Sequence, residues 1–341
     1  MTDTTKLRWG ILGAARINER LMPAIVAASN AELAAIASRR EGAAAETLAK
    51  YAPQQQGVKT YDSLEALLEN DEIQAVYIPM ANQEHAAWTL KAIEAGKHVL
   101  CEKPMALTVA DIEAIEAAAQ RKNVKVMEGF MYRFHPQHVR VLEIINSGII
   151  GEVRSVRASY SFMMRPARMY RLAENVEHGG GAMWDIGCYA IHSLRMFFQQ
   201  DPLAVTAIAK YIDSGADIAT SGILDFGDGK FAHFDFSFER ARRCEYEIIG
   251  SKGGVKCHVV WQLPGTGDVP VISWWTEAGQ QCEERLPASN HFNLEIEHFS
   301  NCVLSNTAPQ LPLSDAKSNC RTILAALQST KQGRVVRLDE I

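Results

Sequence analysis

Short apolar runs alternate with segments of helical hydrophobic spacing through the first 130 residues of the chain. The apolar runs predict buried strands at residues 7–12, 32–38, 73–80, 98–102 and 124–128. The segments between them predict helices, and residues such as Thr108 and Gly96 mark where these helices begin or end. A regular alternation of strand and helix is typical of a doubly wound parallel sheet, so we predict an α/β fold for this part.

The hydrophobic pattern changes after Gly129. Strands are now predicted to follow one another as hairpins, with helices between and after them: a helix at 136–147, a strand at 153–162, a helix ending near 198, hairpins at 223–238 and 245–260, helices at 293–305 and 314–331, and a last strand at 335–338. This order favours an α+β domain with a large open, mostly antiparallel sheet and helices on one side. The other face of the sheet would need a cover, which favours a homo-oligomer.

Length, charge and cysteine content limit the possible functions. The 341 residues exceed what one hydrophobic core usually holds, so we predict two domains, 1–126 and 127–341. A net charge of −5 without a basic run argues against nucleic acid and anionic membranes as partners. No apolar stretch reaches spanning length, and residues 1–6 lack the apolar core of a signal peptide. Seven cysteines without C-x-x-C spacing argue against a disulfide framework and a structural zinc site, so we expect a cytoplasmic protein without a metal.

A strand-to-helix turn follows the first predicted strand. A dinucleotide fingerprint, G-x-G-x-x-G, would place three glycines here, but only Gly13 is present, and Ala15 and Asn18 stand at the other two positions. Alanine still allows a pyrophosphate to approach the main chain, and the N–H groups at the start of the helix are suited to bind it. A tight turn without a ligand explains these residues about equally well.

The end of the second predicted strand bears on the choice of cofactor. A site for NAD would carry Asp or Glu there to bind the ribose 2′-hydroxyl, whereas this chain has Ser38-Arg39-Arg40. A hydroxyl and a guanidinium suit a 2′-phosphate, because arginine binds phosphate through two parallel hydrogen bonds. We therefore predict NADP rather than NAD, although a solvated basic turn is the alternative interpretation.

A lysine follows the predicted strand 98–102 directly. Pro104 disfavours the helical region for Lys103, so Lys103 should be extended at the carboxyl end of that strand. Open α/β sheets bind their ligands in the crevice at this end. Lys103 is thus a candidate to act on a substrate oxygen beside a nicotinamide ring, although taken alone it could be a solvated loop cation.

The segment Gly179-Gly-Gly-Ala-Met-Trp-Asp185-Ile-Gly-Cys-Tyr189-Ala-Ile-His192 is the second candidate for chemistry. At about 100° per residue, a helix over its second half would place Asp185, Tyr189 and His192 in one narrow arc. An acid, a phenol and an imidazole on one side of a buried helix fit a substrate pocket. A polar triad satisfied within a core fits the spacing equally well.

These segments together resemble the Gfo/Idh/MocA family of nicotinamide-dependent oxidoreductases over nearly the whole chain. The resemblance is carried by Arg8-Trp-Gly-Ile-Leu-Gly-Ala-Ala-Arg-Ile17, Ser38-Arg39, Ala81-Asn82 with His85, Gly96-Lys-His-Val-Leu-Cys-Glu-Lys-Pro104, Phe130-Met-Tyr-Arg-Phe-His-Pro136, Asp185-x-Gly187-x-Tyr189 and Tyr246-Glu-Ile-Ile-Gly-Ser-Lys-Gly253. The tyrosine of Asp-x-Gly-x-Tyr is similar to the pattern of D-xylose dehydrogenases, dihydrodiol dehydrogenases and glucose–fructose oxidoreductases.

The resemblance implies a Rossmann domain followed by a mixed α+β domain whose open sheet is often used for dimerisation, which here means a homodimer or homotetramer. The residues that it implies for the cofactor are Gly13, Ala14, Ala15, Arg16 and Ile17 at the pyrophosphate, Ser38 and Arg39 at the 2′-phosphate, and Asn82, Glu102 and Lys103 at the ribose and nicotinamide. We also assign Pro79, His85 and Arg133 to the cofactor. The implied catalytic pair is Lys103 and Tyr189, with Asp185 and His192 beside them, and Arg171 is a further substrate candidate.

The reaction that we predict is hydride transfer between NADP and a carbinol carbon of a sugar. Tyr189 would accept the hydroxyl proton, and Lys103 would supply the positive charge that a phenol needs to act as a base near neutral pH. The first choice of substrate is an aldose such as D-xylose or D-glucose. The alternatives are a trans-dihydrodiol, a keto-sugar reduction, a lyase or glycosidase that uses transient oxidation, and a dinucleotide-binding regulatory protein without turnover.

Overall fold

A computed structural model describes residues 6–261 and 269–341 of the chain. The expectation that residues 1–6 lack the core of a signal peptide concerns a segment of which residues 1–5 lie outside the described residues. Contacts group the chain into two compact units, one of residues 6–134 with 290–317, and one of residues 135–289 with 318–341. The predicted boundary at residue 126 remains a prediction about domains.

Strands and helices alternate through the first unit. In chain order the strands of the protein are β1 (Leu7–Leu12), β2 (Ala31–Ala37), β3 (Lys59–Tyr61), β4 (Ala75–Ile78), β5 (His98–Glu102), β6 (Val126–Gly129), β7 (Val153–Ser161), β8 (Ala204–Tyr211), β9 (Asp217–Asp225), β10 (Phe231–Ser237), β11 (Arg243–Gly250), β12 (Gly253–Cys257), β13 (Val271–Thr276), β14 (Gln281–Arg285) and β15 (Val336–Arg337). The helices are α1 (Asn18–Ala27), α2 (Ala43–Tyr51), α3 (Leu64–Leu68), α4 (His85–Glu94), α5 (Val109–Lys122), α6 (Pro136–Asn146), α7 (Cys188–Phe198), α8 (His291–Leu304) and α9 (Leu313–Gln332). Shorter 3₁₀ turns lie at 82–84, 131–134, 166–172, 176–178 and 338–340.

The described part of the first unit contains a six-stranded sheet in the order β3-β2-β1-β4-β5-β6, and all of its strand pairs are parallel. The prediction of a doubly wound parallel sheet is confirmed. Because the strands are parallel, the segments that follow β1, β2, β4 and β5 all emerge at one edge of the sheet. That edge is where the predicted cofactor residues of this unit lie.

Local signals set most helix boundaries. The hydroxyl of Thr108 accepts a hydrogen bond from the main-chain N–H of Asp111 at 3.1 Å and so begins α5. Ser63 caps α3 in the same way, while the carboxylate of Asp62 accepts from the N–H of Gly42. Gly96 has a φ of 74° just after α4, a conformation that glycine adopts without strain.

Helix α8 packs with the first unit although it begins about 160 residues after the end of β6 in the sequence. The indole N–H of Trp9 in β1 donates to the hydroxyl of Ser300 at 3.0 Å, and the Trp9 ring lies 5.5 Å from the ring of Phe299. All three side chains are buried. The core of this unit therefore depends on residues from the last sixth of the chain.

The second unit contains a nine-stranded sheet within its described residues, in the order β14-β13-β12-β11-β7-β10-β9-β8-β15. Its pairs are antiparallel except for β10 with β7, which run parallel. The predicted α+β domain with an open, mostly antiparallel sheet is confirmed. Strands β8, β13 and β14 were absent from the sequence-based prediction.

The two faces of this sheet differ in exposure. Ala232, Phe234 and Phe236 of β10 point to the buried face, where α7 packs on β7 and β10. On the other face, cross-strand partners form a row of largely exposed side chains: Thr206, Ile223, His233, Arg157 and Glu247. Among the helices that the structure describes, none combines the length and apolar character needed to cross a bilayer.

Candidate active site

The turn between β1 and α1 is shaped to leave main-chain N–H groups available. Gly13 has a φ of 141°, which an L-residue with a side chain rarely adopts. The side-chain amide of Asn18, which is buried, donates to the carbonyl oxygen of Gly13 at 2.8 Å. Asn18 therefore ties the turn together at the position where the fingerprint would have its third glycine.

This turn meets the requirements of a dinucleotide phosphate. In the main-chain hydrogen bonds of the described residues, none of the residues from Ala14 to Ile17 donates its N–H. Ala15, Arg16 and Ile17 take part only through their carbonyl oxygens, which accept. Unused N–H groups at the start of a ten-residue helix are suited to bind an anion. Ala15, which stands in place of the second glycine of the fingerprint, therefore leaves these N–H groups unused.

Ser38, Arg39 and Arg40 follow β2 at the same edge of the sheet. The hydroxyl of Ser38 accepts a hydrogen bond from the N–H of Arg40 at 3.1 Å. The guanidinium of Arg39 donates through Nη1 and Nη2 to the carboxylate of Glu84, at 2.6 and 2.9 Å. Hydrogen bonding to the side chain of Glu84 is the main reason why the pKa of Arg39 is raised. These bonds order the turn, and the role of Ser38 and Arg39 at a 2′-phosphate remains a prediction.

Lys103 follows β5 directly, as the sequence predicts, and the Lys103–Pro104 peptide bond is cis. Lys103 is only 9% exposed, which excludes the alternative of a solvated loop cation. The N–H of Met105 donates to the carboxylate of Glu128 at 2.7 Å, and Glu128 is itself buried in β6. The segment that carries the amine is thus fixed by a side chain on the neighbouring strand.

His85 holds the same segment from the other side. Its Nδ1 lies 2.7 Å from the carbonyl oxygen of Pro104, and its Nε2 lies 3.0 Å from that of Met80. Burial lowers the pKa of His85 to about 4, and the nearby charge of Lys103 acts in the same direction against the two carbonyls. Near pH 7 the ring is neutral and carries one N–H, so it donates to one of the two carbonyl oxygens and only contacts the other, between the ends of β4 and β5. Cofactor binding by His85 remains a prediction.

Other predicted cofactor residues lie at this edge as well. Pro79 is buried at the end of β4, and its Cγ lies 3.6 Å from where a Cβ on Gly13 would be. Asn82 and Arg133 are half-buried in the 3₁₀ turns after β4 and β6. The first unit thus gathers the predicted residues on the turns at the carboxyl ends of its strands.

The sequence analysis predicted Glu102 but missed a phenol and a second acid that interact with it, Tyr77 and Glu295. The hydroxyl of Tyr77 in β4 donates to the carboxylate of Glu102 at the end of β5. Glu295 of α8 is buried, and desolvation, together with the charge of Glu102, raises its pKa well above the ordinary value. Tyr77 was visible only as a polar group in an apolar strand, while Glu295 gave no local signal.

In the second unit, Asp185, Tyr189 and His192 lie on a continuous helical stretch, but its geometry differs from the prediction. Residues Met183–Gly187 form a π-helical turn, and the α-helix begins at Cys188. Because a π-turn is wider than an α-turn, the spacing of about 100° per residue does not hold between Asp185 and Tyr189. The narrow arc was predicted for a regular α-helix, and for this stretch it stays a prediction.

The guanidinium of Arg171 donates to the carboxylate of Asp185, so two of the predicted substrate residues form an ion pair. The charge of Asp185 is the main cause of the raised pKa of Arg171. Tyr189 is buried beside two aromatic rings, with centroid distances of 6.1 Å to Tyr160 and 6.5 Å to Trp261.

A buried carboxylate holds the start of this helical stretch. Asp217 accepts hydrogen bonds from the N–H of Met183 at 3.0 and 3.1 Å and from the hydroxyl of Thr220 at 2.8 Å. A Cβ on Gly181 would collide with the same carboxylate. Burial raises the pKa of Asp217 to about 6, against the hydrogen bonds that it accepts. The sequence analysis missed Asp217, which lies 32 positions after Asp185.

Close packing explains the glycine inside the helical stretch. A Cβ on Gly187 would lie 2.5 Å from the ring of Phe236, in the sheet beneath. A ligand is therefore not needed to account for this glycine. The contact sets how closely the helix that carries Tyr189 approaches β10.

Comparison with known proteins gives a consistent result. A family model described as an oxidoreductase family with an NAD-binding Rossmann fold matches residues 7–130, and a model of the GFO/IDH/MocA C-terminal domain matches residues 138–256. The D-xylose 1-dehydrogenase (NADP(+)) 2 of Haloferax volcanii is 31% identical over 334 residues, which cover 98% of this chain and 100% of that protein.

The dTDP-3,4-didehydro-2,6-dideoxy-alpha-D-glucose 3-reductase of Actinomadura kijaniata is 34% identical over 312 residues, which cover 90% of this chain and 91% of that protein. The crystal structure of a 3-ketoreductase from the same organism, in complex with NADP and TDP-benzene, matches with a TM-score of 0.88 and 32% identity. It covers 95% of this chain and 98% of the other. Two family models that together match more than half of the sequence, and relatives above 30% identity over most of it, show that the chain belongs to the GFO/IDH/MocA family of oxidoreductases.

Proposed function

We propose that this protein is an NADP-dependent oxidoreductase that acts on a CH–OH group of a sugar. The observation that carries the proposal is the buried Lys103 at the carboxyl end of β5, on the sheet edge that also presents Arg39 and the unused N–H groups before α1. The relatives support it, because one is named an NADP-dependent xylose dehydrogenase and another binds NADP in its crystal structure.

In this proposal residues 1–126, with Arg133 from the following segment, bind the cofactor, and residues 127–341 serve substrate binding and oligomerisation. The N–H groups from Ala14 to Ile17 bind the pyrophosphate, and Ser38 and Arg39 bind the 2′-phosphate. Pro79, Asn82, Glu102, Lys103 and Arg133 line the remaining part of the dinucleotide. His85 acts by holding the turns after β4 and β5 in place.

The chemistry in this proposal divides between Lys103 and Tyr189. NADP⁺, when bound, accepts the hydride from the carbinol carbon. Tyr189 takes the hydroxyl proton, so the carbon–oxygen single bond becomes a carbonyl and the charges balance. Lys103 stabilises the oxygen as negative charge develops on it, and its own positive charge makes the phenol a stronger acid and its phenolate easier to form.

The other residues proposed for the substrate, Arg171, Asp185 and His192, bind the sugar. Arg171 and Asp185, already paired with each other, offer both donors and acceptors to ring hydroxyls. His192 is almost fully buried three positions after Tyr189, where it can relay the proton or bind a hydroxyl. An aldose oxidised at its anomeric carbon, such as D-xylose or D-glucose, is the substrate that we propose first.

A keto-sugar reduction is the second candidate, because the 34% identical relative from Actinomadura kijaniata is named a 3-reductase of a nucleotide-linked keto-sugar. The reaction is the same hydride transfer in the opposite direction, with Tyr189 donating the proton. The two candidates differ in the direction of turnover and in whether the substrate carries a nucleotide.

A substrate panel tests the proposal. The purified protein is mixed with NADP⁺ or NAD⁺ and with D-xylose, D-glucose, other aldoses or a trans-dihydrodiol, and the absorbance of the reduced nicotinamide is followed. We expect turnover with NADP⁺ and at least one aldose. The reverse assay uses NADPH with keto-sugars, free and nucleotide-linked. Tight NADP binding without turnover in either direction would instead identify a regulatory protein.

A further inference from the structure

An ion pair spans the turns where the dinucleotide is proposed to bind. Arg39 lies two residues after β2, and Glu84 lies in the 3₁₀ turn after β4. Their contact is bidentate, with Nη1 to Oε1 at 2.6 Å and Nη2 to Oε2 at 2.9 Å. Two parallel hydrogen bonds between a guanidinium and a carboxylate give a well-defined geometry, unlike most single surface contacts.

The location of this pair follows from the strand order. Strand β1 lies between β2 and β4, and both of its pairings are parallel. A contact between residues that follow β2 and β4 therefore crosses the carboxyl end of β1. Gly13 and the unused N–H groups of residues 14–17 come directly after that end.

From this geometry we infer that Glu84 is a specificity-determining residue, which competes with the 2′-phosphate of NADP for the guanidinium of Arg39. The inference rests on the proposed function, in which Arg39 binds that phosphate. It goes further by assigning to Glu84 a role in how strongly the protein prefers NADP over NAD.

Glu84 and a 2′-phosphate need the same N–H donors of Arg39, and both are negatively charged. Arginine has five N–H donors, and Glu84 occupies one on each terminal nitrogen, in the same bidentate manner that a phosphate uses. Full binding of the phosphate by both terminal nitrogens therefore requires Glu84 to give up at least part of this contact. The carboxylate also repels a dianionic phosphate that shares its cation, whereas the neutral 2′-hydroxyl of NAD meets no such repulsion.

The surroundings allow this exchange. The side chain of Arg39 is 59% exposed and that of Glu84 is 27% exposed, so both can move without opening a core. The charges around Arg39 include the adjacent Arg40, which attracts a phosphate, the exposed Glu41, and Glu65, whose charge acts on Arg39 in the same direction as that of Glu84. Glu84→Gln keeps the main-chain bond from the N–H of residue 84 to the carbonyl oxygen of Ala81 and the contacts of the neighbouring His85, so we expect the turn to keep its fold.

The test compares binding of NADP and NAD, and of 2′,5′-ADP and 5′-ADP as probes of the adenosine half, by isothermal titration calorimetry. The variants are Glu84→Gln, Arg39→Ala and the double variant. In Glu84→Gln we expect NADP and 2′,5′-ADP to bind about three- to tenfold more tightly, as expected for the loss of a partly exposed charge contact, and NAD and 5′-ADP to change less than about twofold. The gain should vanish in the Arg39→Ala background.

Glu72→Gln is the matched control, because Glu72 also pairs with cations of the same unit, Arg8 and Lys59, but lies just before β4 at the opposite end of the strands. We expect it to leave all four binding constants unchanged. Weaker or unchanged NADP binding in Glu84→Gln, together with weaker binding in Arg39→Ala, would overturn the role of Glu84 and leave the phosphate site intact. Unchanged NADP binding in Arg39→Ala would overturn both.

Discussion

Lys103 shows how much one dipeptide can determine at the scale of a residue. The proline after it excludes a helical conformation, and the amine therefore stays at the end of β5. The surrounding bonds come from more distant residues, namely Glu128 in β6 and His85 at the start of α4. The sequence places the lysine, and these contacts hold the segment that carries it.

We predict that Lys103→Met lowers kcat by about a hundredfold or more, since the variant loses a charge that acts on the developing alkoxide. The Kd for NADP should change less than about threefold, and it can be measured by calorimetry. Tyr189→Phe should give a similar loss, and the double variant should be little worse than the poorer single variant, because residues that act as a unit are not additive. Lys50→Met, an exposed lysine of α2, is the control.

Full turnover in Lys103→Met would remove Lys103 from the chemistry. Additive losses in the double variant would show instead that Lys103 and Tyr189 serve separate steps. Either result would be seen in the same assay of reduced-nicotinamide absorbance.

His85 leads to a prediction about pH. Its pKa in the folded protein is about 4, below the ordinary value of 6.5, so the unfolded chain binds the proton more tightly. The stabilisation from a neutral His85 is complete above pH 6.5 and is lost as the pH falls toward 4, up to about 3 kcal/mol. We expect the urea midpoint of the wild type to fall between pH 7 and pH 5 more steeply than that of His85→Gln.

His233→Gln, a change to an exposed histidine of β10, serves as the control and should keep the wild-type slope. Equal slopes in all three proteins would mean that His85 titrates normally in the fold, contrary to its burial.

At the scale of an element, the stretch from Met183 to Phe198 depends on one carboxylate outside it. Asp217 in β9 receives the N–H of Met183 and the hydroxyl of Thr220, and glycine at position 181 leaves room for this contact. The helix carries the residues that we propose for proton transfer and sugar binding. By binding the N–H of Met183, Asp217 fixes the position at which this helical stretch begins.

Asp217→Ala should destabilise the second unit by about 2–4 kcal/mol, because a buried N–H and a buried hydroxyl lose their acceptor. Chemical unfolding followed by circular dichroism measures the loss. The carboxyl has a raised pKa of about 6, so its contribution decreases as the pH rises from about 4 through 6, and the loss in Asp217→Ala should be larger at pH 5 than at pH 7.5. Asp213→Ala, on the exposed turn before β9, should cost little at either pH.

At the scale of the whole molecule, the open face of the nine-stranded sheet is where we expect copies of the chain to associate. Ile208 is 81% exposed on β8, and Ile223 and Phe231 are exposed on the two strands that follow in the sheet. Exposed apolar side chains on an otherwise polar face are typical of association sites.

We predict that Ile208→Lys shifts the protein toward the monomer, because the new charge would be buried in the interface. Sedimentation velocity over a range of protein concentrations measures the shift. Val139→Lys, an exposed position on α6, is the control. A monomeric wild type, or a variant with unchanged sedimentation, would contradict an interface on this face.

The local pattern of the sequence determined five of the six strands in the parallel sheet, the turn at Gly13 and the place of Lys103, but it missed the short strand β3. Each of these depends on neighbours within a few positions, through hydrophobic period, capping residues and proline. The hairpin pattern also indicated the α+β domain, and helical spacing together with the family motifs selected Asp185 and Tyr189.

Tertiary structure alone decided the pairing of Trp9 with Ser300, the bidentate contact of Arg39 with Glu84, the capping of Met183 by Asp217 and the parallel pairing of β10 with β7. It also decided the π-turn at the start of the stretch that carries Tyr189. In each case the partners lie far apart in the chain, or the packing of one element on another overrides the local preference, so no periodic pattern records the contact. The residues that hold the site in place were therefore harder to predict than those proposed to do the chemistry.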